Sequence, residues 1–119
     1  MKTRIGFVGN SSSSSFLIQN LTNKPKTIFD FAKEVLYLVD EFNERYSYGI
    51  QESEFLDKKV LSDNSYYCWK PNETIEATFG DESGTDFETV LDYMLRSGGK
   101  TESFSWKMIS CRGMDINEN

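Results

Sequence analysis

At 119 residues, 38% of them hydrophobic and 14% aromatic, the chain is long enough for one domain with a real core and too short for two ordinary ones. Its formal net charge is −6, spread unevenly: residues 1–26 hold Lys2, Arg4, Lys24 and Lys26 and no acid, whereas nine bases and nineteen acids leave the remainder at −10. That acidic bulk argues against a general DNA or RNA binder, and the lack of any histidine removes the usual general base, triad partner and metal ligand together.

Arg4 to Val8 reads as a short strand, and Gly9-Asn10 with Ser11 to Ser15 as a loop. Phe16-Leu17-Ile18 resumes an apolar run, either a second strand or the start of a short helix. After Pro25, Thr27 is a good N-cap with Asp30 three positions on. Ile28, Phe31, Ala32, Val35, Leu38, Val39, Phe42 and Tyr46 then recur at helical spacing, which predicts one long helix to about Tyr46, stopped by Tyr48-Gly49. A weaker helix is expected after Ser53, with Phe55, Leu56, Val60 and Leu61 as its apolar positions.

Tyr66 to Trp69 and Glu73 to Phe79 are expected to form a hairpin around Pro71-Asn72; in the second arm Ile75, Ala77 and Phe79 alternate with polar residues. Gly80 to Gly84 is an acidic loop. Thr85 and Glu88 form a capping box that opens a helix with Phe87, Val90, Leu91 and Met94 inward, ended by Gly98-Gly99. Phe104, Trp106 and Met108 alternate in a last strand to about Cys111, followed by a polar tail from Met114. The expectation is a single α+β domain over residues 1–119: an antiparallel or mixed sheet of about five strands, with two main helices packed on one face.

No segment approaches 18 apolar residues, and the N-terminus lacks the apolar run of a signal peptide, so a cytoplasmic location and no membrane contact are expected. Cys68 and Cys111 form no CxxC pair and are expected to be free thiols, Cys68 as a buried structural one between Tyr67 and Trp69. Asn10, Asn20 and Asn72 begin formal glycosylation sequons that have meaning only in a secretory pathway.

The segment Gly6 to Phe16 begins like a phosphate-binding loop, yet a Walker A loop needs a second Gly and a Lys where this chain has Ser14 and Ser15. A weaker anion site remains open, in which Asn10, Ser11, Ser12, Ser13, Ser14 and Ser15 offer N–H and hydroxyl groups beside Arg4; the alternatives are a polar connection between strands and a phosphorylation site. Arg4-Ile-Gly-Phe-Val-Gly-Asn-Ser-Ser-Ser-Ser-Ser-Phe-Leu-Ile18 resembles an N-terminal signature, roughly RxGFVSNSSSSSF, that opens many small uncharacterised bacteriophage and bacterial proteins, with Gly9 here in place of the usual Ser. The resemblance covers about fifteen of the 119 residues and implies a phage or phage-related origin, with no chemistry attached.

On a continuous helix, Asp30, Glu34, Tyr37, Glu41 and Glu44 fall within about 80° of one another, opposite the apolar side. Such an acidic stripe can dock a basic protein or imitate DNA phosphates; alternatively it is a solvated face steadied by a Glu41–Arg45 pair. Asp81, Glu82, Asp86 and Glu88 match no calcium loop, so no metal and no cofactor is expected. Cys68 has no histidine to activate it as a nucleophile, and Tyr66, Tyr67 and Trp69 lie in the wrong charge for base stacking. The sequence therefore favours a non-enzymatic phage accessory protein that binds a host or viral protein with a basic surface. A virion or assembly component is the first alternative, and an anion- or nucleotide-binding domain built on the serine loop is the second.

Overall fold

A computed structural model describes residues 13–112, so the expected strand at Arg4–Val8 and the residues Asn10, Ser11 and Ser12 lie outside the described part. The fold is α+β. Its centre is strand β1 (Ser13–Asn20), flanked by β4 (Thr74–Gly80) and β6 (Phe104–Arg112), with the two-residue β5 (Gly99–Lys100) beyond β6. Every pairing in this four-stranded sheet is antiparallel. A separate two-stranded sheet joins β2 (Lys26–Thr27) to β3 (Cys68–Trp69).

Ser13 to Ser15 are thus strand and not loop. The strict alternation of β1 explains why serine is accepted there: Ser14, Phe16, Ile18 and Asn20 are buried, while Ser13, Ser15, Leu17 and Gln19 face the other way and are only half-buried. Each inward polar group has a partner. Asn20 uses its whole amide: Nδ2 donates to the carbonyls of Lys24 (2.7 Å) and Lys70 (3.1 Å), and Oδ1 accepts from the Thr22 N–H (2.9 Å) and hydroxyl (2.7 Å). Between Ser15 and Phe16 the register against β6 slips by one residue, leaving Ile109 as the extra residue of a bulge.

The expected long helix is two. Helix α1 (Ile28–Glu34) starts at the Thr27–Asp30 capping box, formed reciprocally as its spacing requires, and α2 (Tyr37–Tyr46) follows. Between them the backbone tightens, with the N–H of Leu38 bonding Val35 and that of Val39 bonding Leu36, each three residues back. Val35, Leu38, Val39 and Phe42 all stay buried across the joint, which is why apolar spacing alone did not reveal it. The weaker helix is likewise divided, into α3 (Glu52–Phe55) and α4 (Lys58–Asp63, capped by Asp57).

The Pro71-Asn72 turn exists, with Asn72 left-handed at φ 63°, but the expected hairpin does not. β3 leaves the turn to pair with β2, because Trp69 is buried beneath the sheet and its indole N–H donates to the Ile18 carbonyl at 2.9 Å. Only Tyr67 reaches β4: its hydroxyl accepts the Thr78 N–H (3.0 Å) and donates to the Thr78 carbonyl (3.1 Å), covering part of the sheet's outer edge. Cys68, on the opposite side of the chain from Trp69, is exposed and not the buried thiol expected.

Beyond β4, a 3₁₀ turn (Asp81–Ser83) leads to α5 (Asp86–Met94). Its box is half-formed: Thr85 Oγ1 accepts the Glu88 N–H, but Glu88 reaches back to the Gly80 N–H instead of to Thr85. Helices α1, α2 and α5 share one core with the inner sheet face, where Phe31 meets Trp69, Phe104 and Trp106, and Phe79 meets Phe87. No helix among the described residues is long and apolar enough to cross a membrane.

Candidate binding surfaces

The broken helix redistributes the predicted acidic stripe. Asp30 is spent on the α1 cap, accepting the Thr27 N–H at 2.9 Å. Glu34 turns toward the β5–β6 hairpin, where Oε1 accepts from the Thr101 hydroxyl (2.5 Å) and the Ser103 N–H (3.1 Å). Burial opposes its charge, yet the hydrogen bonds from Ser103 and Thr101 and the charge of Lys26 hold it below the usual carboxylate range. What remains outward of the stripe is on α2 alone: Tyr37, 46% exposed, with Glu41 and Glu44, beside the exposed Asp40, which the stripe did not include. Glu41 and Arg45 do not close an ion pair, so these carboxylates face solvent. Partial burial, then the neighbouring Glu41 charge, pushes the Tyr37 hydroxyl above its ordinary range.

The serine segment is brought to α5. Ser14 Oγ donates to Asp92 Oδ1 at 2.8 Å, and Arg96 Nη2 meets the same oxygen at 3.0 Å; Asp92 is fully buried. Ser15 shares a 2.8 Å hydrogen bond with the Thr78 hydroxyl. Two of the five candidate hydroxyls are therefore engaged by protein groups, one of them a carboxylate. Asp92 was not singled out in the sequence, although its i,i+4 spacing from Arg96 is a legible signal.

A second feature lies between α2 and α5. Phe42, Tyr46, Tyr48 and Tyr93 form a four-ring cluster, with Phe42 centroids 4.9, 5.1 and 6.2 Å from those of Tyr46, Tyr48 and Tyr93. With Asp81, Gly84, Asp86 and Thr89 they line an open depression of about 410 Å³. The loop that presents Tyr48 is pinned by Asn43, whose side chain both donates to and accepts from the backbone of Ile50 at 2.9 and 3.0 Å. Tyr93 donates its hydroxyl to Asp81 at 3.1 Å, and the Arg96 guanidinium lies 4.5 Å over the Tyr93 ring. Burial, then the charge of Glu54, raises the Asp86 carboxyl above its ordinary value. The sequence places Phe42 and Tyr46 in the core, reads Asp81 as one of four acids that match no calcium loop, and explains Asp86 by the dipole of the helix it opens; no spacing rule joins the two ends of this groove.

No family model, curated protein or solved structure matches the chain.

Proposed function

We propose that the chain is a bacteriophage accessory protein, of the host-takeover or anti-defence kind, that acts by binding a host or viral protein with a basic surface. The observation that carries this reading is the outward face of α2, where Tyr37, Asp40, Glu41 and Glu44 stand exposed and no carboxylate forms an ion pair with any described residue. A ring beside uncompensated carboxylates suits a basic protein surface: charge steers the encounter and sets its register, while the tyrosine supplies buried area at low entropic cost. The net charge of −6 favours the same class of partner, and the serine-rich signature supplies the phage origin.

The test is affinity capture from phage-infected cells with the intact protein and with a Glu41→Lys/Glu44→Lys double variant. The expected result is a partner retained by the first, released by rising salt, and lost by the second while its unfolding midpoint is unchanged. Equal capture by both proteins overturns the assignment of the face. No partner at any stage of infection, together with the chain at fixed copy number in purified particles, replaces the reading with that of a virion component.

A further inference from the structure

The aromatic groove between α2 and α5 has the chemistry of a cation receptor, and we infer that it binds an arginine side chain from an extended segment of a partner protein. This rests on the protein-binding reading but on different residues. Two of its rings are presented outward, Tyr46 at 41% and Tyr48 at 59% exposure, while Phe42 behind them is buried and fixes their spacing. Exposed rings held together in this way offer their electron-rich faces to a cation. Among the described residues that line the groove the charged ones are Asp81 and Asp86, both acidic. Asp86 sits at the first position of α5, where burial first and the Glu54 charge second disfavour its ionisation, and a cation bound beside it offsets the Glu54 repulsion. Arginine is preferred over lysine because a planar guanidinium stacks on a ring while its edge donates to carboxylates, and the chain already sets a guanidinium over a ring itself, Arg96 4.5 Å from the Tyr93 centroid. The volume of about 410 Å³ accommodates one such side chain with its flanking backbone and little more.

The experiment is a titration of the full chain, labelled with nitrogen-15, with a blocked Gly-Gly-Arg-Gly-Gly peptide, run beside peptides carrying lysine or uncharged citrulline in place of arginine. The expected result is saturable amide shifts confined to the groove, at Tyr48, Gly84, Asp86 and Thr89, strongest with arginine and absent with citrulline. Tyr48→Ala and Asp86→Asn are each expected to weaken binding between about twofold and thirtyfold, the range that corresponds to a contact of about 0.5–2 kcal/mol. Both positions are at the surface or half-exposed, so both variants keep the native spectrum elsewhere. Shifts that never saturate, that lie outside the groove, or that persist with citrulline overturn the inference; lysine binding as tightly as arginine overturns the choice of ligand. Because the peptide reports on the groove alone, its failure leaves the α2 face standing, and loss of capture by the Glu41/Glu44 variant leaves the groove standing.

Discussion

Ser14 and Asp92 show how a single polar contact decides what a segment becomes. A run of serines has weak structural preferences of its own, but a fully buried carboxylate needs donors, and the Ser14 hydroxyl at 2.8 Å and Arg96 at 3.0 Å supply them. Asp92→Ala, which strips the compensating charge from beside the largely buried Arg96, is expected to cost about 3–5 kcal/mol. Ser14→Ala, which removes one neutral donor, is expected to cost about 1–2 kcal/mol. Urea unfolding at neutral pH reads both; equal and negligible losses would mean that the cluster is incidental to the strand.

At the scale of elements, two side chains act as ties between segments distant in sequence. Glu34 locks the end of α1 to the β5–β6 hairpin, and because its folded carboxyl lies below the ordinary value near 4.5, the stabilisation is present above that pH and is lost as pH falls through the folded value. Glu34→Ala is expected to cost about 1–2 kcal/mol at pH 7, and the gap to the parent should begin to narrow as pH falls below 4.5 and shrink further as it passes the folded value. Tyr67 does the corresponding work at the edge of β4. Burial, with the Tyr66 and Glu88 neighbours, pushes its hydroxyl up to about 12, so between the ordinary value of 10 and 12 the folded chain keeps a proton that the unfolded chain has shed. Stability must therefore fall as pH rises through that window, and Tyr67→Phe should fall less steeply there while losing about 1 kcal/mol at neutral pH. Local signals were legible in the sequence wherever a motif closes on itself: the Thr27–Asp30 cap, the alternation of Ile75, Ala77 and Phe79, and the helix after Thr85. They failed where the deciding contact is remote. Nothing near Val35 announces that Glu34 will turn to Thr101, and nothing near Pro71 announces that Trp69 will bond Ile18.

Across the whole molecule the same limit explains the candidate surfaces. The acidic stripe was foreseen as a property of one ideal helix, and the joint at Val35–Leu36 left it only its α2 half; the groove needs Tyr48 from one region and Tyr93 from another, so only the fold assembles it. The sheet itself is ordered in the same way. β1 is the earliest described strand and the middle of the sheet, yet its two neighbours come from the far half of the chain, Ser13 meeting Gly80 on one side and Arg112 on the other. Such pairings close large loops before any contact rewards them, so the sheet is slow to nucleate. On the ribosome neither partner of β1 exists until β4 and then β6 have been synthesised, so Phe16, Leu17 and Ile18 wait for the far half of the chain before they are covered on both sides.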